Sequence, residues 1–245
     1  MMGLFGFGKS KGGGVKPEVV EKPDGSEAPE ASGEPAADGI VDDDEPATLG
    51  WNAISEAFAK LYPGQDNPLH YGTIISWRLG GNDPLDGISI YEGDGYYHFV
   101  TYGFSDLYEK EGEDPEWSGY GIELTMKLKK GSADDEGEIK CVAGNLQGLA
   151  RYVFQSGKVF QPNEYIYTGQ KDGIDLNHTS KLTGFITTLD EAGEIDTPNG
   201  KVWFVRLVGA TDKELQSIQN KEKTVMDILA LLPDTVTDLA REDVI

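Results

Sequence analysis

Apolar residues recur along this chain at two different spacings, and the order in which those spacings alternate is its first legible feature. Trp51, Ile54, Phe58 and Leu61 follow Thr48 at helical intervals, and Pro63 and Gly64 stop the pattern. This predicts an amphipathic helix lying on the domain, with Thr48 as its N-cap. Strand-like runs follow at residues 73–78, 88–91 and 96–104, the last two joined by Gly93, Asp94 and Gly95 as a hairpin. The run 96–104 is apolar or aromatic on both faces, as a central strand covered on both sides would be. Residues 121–129 alternate without a break. Ile122, Leu124, Met126 and Leu128 share one face, predicted to be core, while Glu123, Thr125, Lys127 and Lys129 share the other, predicted to meet water or a partner.

The helical spacing returns at Val142, Leu146, Leu149, Ala150, Val153 and Phe154, and Ser156 with Gly157 closes it. This second helix is expected to pack on the sheet. Further strands are expected at residues 164–168, 184–189 and 202–208, with Pro198, Asn199 and Gly200 marking the turn before the last. Thr211 with Glu214 forms a capping box. Thr224 with Asp227 is a weaker version before the apolar run 228–232, which Pro233 ends. Strands in runs, with helices at the start, middle and end, predict an α+β fold with a mixed sheet and packed helices.

Composition changes the picture mainly at the amino end. Residues 1–46 are rich in Gly, Pro, Ala, Glu and Asp with no regular apolar period, which predicts a disordered tail followed by one domain over residues 47–245. The formal net charge is -22. The tail holds 11 acidic against 4 basic residues, a net of -7, so -15 belongs to the rest. Such acidity opposes non-specific affinity for nucleic acid or anionic lipid and favours a basic partner, although it also serves solubility alone. Cys141 is the single cysteine, so this chain alone offers neither an internal disulfide nor a thiolate zinc cluster. With no apolar run near the length that spans a bilayer, the expectation is a cytoplasmic protein with no membrane partner.

Candidate chemistry is sparse. Gly3, Gly8, Lys9 and Ser10 match a phosphate-binding loop, but only two residues precede them and three successive glycines, Gly12 to Gly14, follow, so strand and helix context is missing. Ser76, Ser105 and Ser118 lack a nucleophile elbow. His70, His98 and His178 have no second His or Cys at ligand spacing, so no metal or cofactor is expected, and His98 reads as a hydrogen-bonded structural histidine. Cys141 reads as a small buried hydrophobe. The run Asp42 to Glu45 lacks the spaced oxygens of a calcium loop. Tyr91, Tyr96, Tyr97, Tyr102, Tyr108, Trp117 and Tyr120 are either core or, beside carboxylates, anchors for a protein partner. Paired carboxylates in a cleft keep open an enzyme acting on a small molecule or sugar.

Four segments within residues 83–154 read in order as DPLDGISIY, YHFVTYGFSDLY, SGYGIELTMKLK and NLQGLARYVFQS, with TPNG at residues 197–200 and a VRLVG run after it. In these motifs the chain resembles the Suppressor of fused family, over residues 51–245. The resemblance implies the fold of the family's amino-terminal lobe and a non-enzymatic protein that binds and sequesters a protein partner. In animals that lobe, with a second one, clamps a short peptide of a zinc-finger transcription factor as an added β-strand. Single-lobe relatives are typically bacterial, and their family context implies immunity proteins that neutralise secreted toxins. The resemblance places a partner groove at Tyr152, the tyrosine of the RYVFQS motif, and at Glu164 just beyond it, with Thr188 where a further acidic residue is usual. The implied partner is a basic toxin or an extended peptide.

Overall fold

Thr48 leads into α1 (Leu49–Leu61), whose inner face buries Gly50, Ile54 and Phe58. The Thr48 side chain caps no helix amide. The Leu107 carbonyl does so instead, accepting from Gly50 N at 2.9 Å and Trp51 N at 3.2 Å. Only glycine permits that approach, because a Cβ at position 50 would stand 2.2 Å from the Asp106 carbonyl oxygen. The computed structural model describes residues 48–75, 77 and 80–245. The expected tail, its phosphate-loop match, the Asp42 to Glu45 run and Ser76 lie outside them.

After α1 come β1 (Leu69–Gly72), β2 (Gly87–Glu92), β3 (Tyr96–Tyr102), β4 (Trp117–Lys129), α2 (Asp135–Ser156), β5 (Tyr165–Ile166), β6 (Leu182–Thr197), β7 (Gly200–Thr211), α3 (Asp212–Gln219) and α4 (Val225–Leu231). The strand expected at residues 73–78 is displaced: pairing with β2 runs through Leu69–Gly72 and ends there. The described strands form one sheet of order β1-β2-β3-β4-β7-β6-β5. Every neighbouring pair is antiparallel except β4 with β7, which run parallel in the middle of the sheet. The architecture is the expected mixed, mostly antiparallel α+β fold.

The sheet is covered on both faces. On one, Ile139, Val142, Leu146, Ala150 and Val153 of α2 meet Phe99, Ile122, Leu124, Met126 and Val205 in a hydrocarbon core. On the other, Ile54, Phe58 and Tyr62 meet Tyr91, Val100, Tyr102 and Phe204. Beyond β6 and β7, α3 and α4 close a third cluster around Leu215, Ile218 and Ile228. Both helices start from complete capping boxes, Thr211 with Glu214 and Thr224 with Asp227. At its own start, α2 is capped by Asp134 on Gly137 N, and it stops at Gly157 in the left-handed conformation, φ 69°.

The cover supplied by α1 overturns one expectation. Glu123 and Thr125 are fully buried and Lys127 nearly so, rather than turned to water. Alternation along β4 told the two faces apart, but it carries no information on whether a helix from elsewhere in the chain roofs the polar one.

Candidate functional site

Glu164 directly precedes β5 at the edge of the sheet, and Tyr152 reaches the turn before it through Phe160. Tyr152, on the outer side of α2, is 46% exposed, and its ring stacks on Phe160 at 5.9 Å between centroids and 20° between planes. Phe160 leads into a tight turn in which Asn163 takes φ 67° and the Glu164 carboxylate accepts from Gln161 N at 2.9 Å. Buried Thr187 of β6 locks this turn: its hydroxyl donates to the Gln161 carbonyl at 2.6 Å and accepts from Glu164 N at 2.8 Å. The exposed carboxylate of Glu164 is thereby held directly before β5, a two-residue strand that among the described residues pairs only with β6. Tyr165 and Leu189 are also exposed there, and Thr188 is half-buried. An exposed aromatic ring, a fixed carboxylate and an open strand edge are the parts from which strand addition by an extended peptide is built.

The other concentration of chemistry is internal, under α1. His98 of β3 is fully buried, with its Nδ1 2.6 Å from the Tyr62 hydroxyl and its Nε2 3.0 Å from Asp190 Oδ2. The same carboxylate oxygen accepts from Thr125 Oγ1 at 2.7 Å and from Arg206 Nε and Nη2 at 2.8 and 2.7 Å. Arg206 also pairs with Glu191, which bonds Lys127 Nζ at 2.5 Å. Lys127 in turn lies over the Tyr96 ring, 4.3 Å from its centroid. Asp190 and Glu191 reach this space because the β6–β7 register shifts between Leu189 and Glu194, a bulge that re-aims side chains within a strand.

Burial works against the charge on Asp190, but the hydrogen bond from His98 and the nearby Arg206 more than offset it and hold the carboxyl well below the usual range. Burial pushes His98 the other way, toward the neutral ring. With Nε2–H donating to Asp190, Nδ1 accepts the Tyr62 hydroxyl. The oxygens of Asp190 and Glu191 and a nitrogen of His98 lie within 4.8 Å of one another, close enough for a metal ion. Lys127 and Arg206 already balance those two carboxylates, so the donor set is that of a closed ion-pair network.

A second buried carboxylate, Glu123, bonds Thr101 Oγ1 at 2.6 Å, Gly103 N at 3.1 Å, and Ser105 N and Oγ at 3.0 and 2.7 Å. Complete burial nevertheless pushes it up to about 7. Both strongly shifted carboxylates are therefore sealed, not presented in a cleft. Ser105 is spent on Glu123, and Ser118 bonds Asp106 N at 2.9 Å. Cys141 is half-buried against the Ile174 carbonyl, and burial raises its thiol. Of the seven aromatic residues singled out in the sequence, Tyr91 and Tyr102 are core and the others half-buried.

Periodicity missed Asp190, Glu191 and Arg206. A signal was present all the same, since Arg206 is the one charge inside the apolar run 202–208 and implies a carboxylate opposite it. Among the described residues, no helix is long and apolar enough to cross a membrane.

Residues 81–242 match the family model of the Suppressor of fused protein. The human and mouse Suppressor of fused homologs are each 33% identical to this chain over 217 residues. That alignment covers 80% of this chain and 44% of each of theirs, so the chain spans less than half the length of these relatives. Among solved structures, Drosophila Suppressor of Fused is 30% identical with a TM-score of 0.70, over 81% of this chain and 52% of that one. A chain of the Sufu–Fu complex crystal structure gives 30% identity and a TM-score of 0.71 over 81% of this chain and 93% of that one. A homolog from Neisseria gonorrhoeae shares the fold at 14% identity and a TM-score of 0.51. On the family match and the identity to these relatives, the chain belongs to the Suppressor of fused family.

Proposed function

We propose that this protein is a non-enzymatic binding module that sequesters or neutralises a protein partner, taking an extended segment of it along the β5 edge. The observation that supports this reading is a short edge strand preceded by the fixed carboxylate of Glu164, in a turn that exposed Tyr152 touches through Phe160. Edge strands recruit partners through main-chain hydrogen bonds, and the adjoining side chains select among them. Family membership supports the class of activity, and one relative is known in the Sufu–Fu complex. The net charge of -22 favours a basic partner, drawn in by long-range attraction. A secreted basic toxin, neutralised in the cytoplasm by this chain as its immunity protein, fits that chemistry. The cleft-carboxylate enzyme gains nothing from Glu123 and Asp190, because both are enclosed.

The test is affinity capture from native lysate with the full chain as bait, beside a Tyr152→Ala, Glu164→Lys double variant. A basic partner retained by the intact chain and lost with the double variant is the expected result. Equal recovery by both baits would remove the site, and recovery of nothing at any ionic strength would remove the function.

A further inference from the structure

A second surface, away from the β5 edge, has the construction of a docking site. A groove of about 1000 Å³ opens between the end of α2, the segment before β2 and the connection from β3 to β4. Phe154 lines it, with Trp77, Phe104 and Tyr120 converging on its ring at centroid distances of 5.9, 6.2 and 5.0 Å. Trp77 and Leu49 keep 38% and 44% of their surface exposed. Tyr152 is two positions from Phe154 on α2, so the two rings leave the helix on different sides.

The wall of this groove is fixed in advance. Glu123 holds Gly103 N and Ser105 from beneath. The Asp106 carboxylate accepts from Glu111 N, Gly112 N and Gly119 N at 3.2, 3.2 and 3.0 Å. Gly119 adopts φ +54°, and a Cβ there would come within 2.6 Å of the Phe104 carbonyl oxygen. A partner therefore meets a surface whose ordering cost has been met in folding.

Charge sets the nature of that partner. Residues 106–116 carry six carboxylates and one lysine, and of the carboxylates Asp106 holds the wall and Glu116 pairs with Lys201 at 3.3 Å. That lysine, Lys110, also lines the groove, with its ammonium engaged by the Trp117 and Asn199 carbonyls at 2.8 Å each. Asp86 and Glu109 also line the groove. Exposed aromatic area inside an anionic rim recognises an apolar side chain flanked by cations, which fill the hollow and meet the rim together. We propose that this groove docks a partner-protein segment presenting an aliphatic or aromatic side chain flanked by arginine or lysine, independently of the β5 edge.

Selection of a random peptide display library on the full chain tests this directly. Enriched sequences are expected to pair Arg or Lys with a large apolar residue. A synthetic peptide of that sequence should bind about ten-fold more weakly to Trp77→Ala. It should also bind several-fold more weakly to Glu109→Lys and lose affinity as salt rises. The Tyr152→Ala, Glu164→Lys double variant should bind it unchanged, which separates this site from the edge site. Absence of enrichment, enrichment without basic residues, or equal binding to Trp77→Ala and Glu109→Lys would overturn the proposal. So would loss of binding in the double variant. Because Glu109 is an exposed loop residue, its variant stays informative even if Trp77→Ala folds poorly.

Discussion

The two faces of the sheet are built on different principles. Under α2 the core is hydrocarbon, with Leu146 and Val153 meeting Leu124 and Met126 and no charge among them. Under α1 the sheet buries His98, Glu123, Asp190 and Arg206 within the same layer as Phe58 and Phe204. The first face tolerates change in proportion to the volume lost. The second depends on complete partnering, since a buried charge without its counter-charge costs more than the pair contributes. The contrast implies that the α2 face fixes where the helix lies, and the α1 face fixes which register and which side chains are admitted.

The sharpest way to break this contrast is to remove one ion. Arg206→Met is expected to destabilise by about 3–5 kcal/mol in urea unfolding, because it leaves Asp190 buried without a cation. A cost under about 1 kcal/mol would mean that the network is not closed. Leu146→Ala, the matching cut on the α2 face, is expected to cost about 3 kcal/mol with no change in the pH dependence of stability.

A third test sharpens the comparison by titration. Glu123 sits at about 7 when folded, above its ordinary 4.5, so the folded state holds the proton more tightly than the unfolded chain. The Glu123 contribution to stability should fall as pH rises from about 4.5 through 7 and then level off, by about 3 kcal/mol at most. His70 and His98, both lowered by burial, contribute a rise up to about pH 6.5. In Glu123→Gln, which keeps an oxygen for Gly103 N and Ser105, that fall should be absent when unfolding is followed across the same range. The smallest effect lies outside both faces: Thr211→Ala removes one half of the α3 capping box and should cost about 1 kcal/mol.

What could be read in the sequence follows from the range of the forces involved. Both capping boxes, the α2 pattern and the Pro198–Asn199 turn are local, and the structure has them where the spacing placed them. In the described part of the run 73–78 the expected strand is absent, since Ile74 is fully exposed and the β1–β2 pairing stops at Gly72. The burial of Glu123 and Thr125 is long-range and so left no mark in the alternation of β4. For β6, the expected strand ended at residue 189, yet it runs on through the acidic stretch to Thr197 by way of a bulge. Tyr152 and Glu164 entered through the family resemblance rather than through their chemistry, and nothing local links Trp77, Tyr120 and Phe154, which only the fold brings together.

The parallel seam between β4 and β7 also bears on how the chain assembles. Ile122 pairs with Trp203 and Met126 with Leu207, so the seam joins two antiparallel systems, β1 to β4 and β5 to β7, that each form from near neighbours in sequence. Such distant pairing pays its loop-closure entropy before any contact rewards it and is intrinsically slow. Asp190 and Arg206 pair within one half, but the bonds of Thr125 and His98 to Asp190 and of Lys127 to Glu191 form only when the halves meet. Until then Lys127 lacks the carboxylate it pairs with, so burial of that ammonium waits on the docking of the two halves.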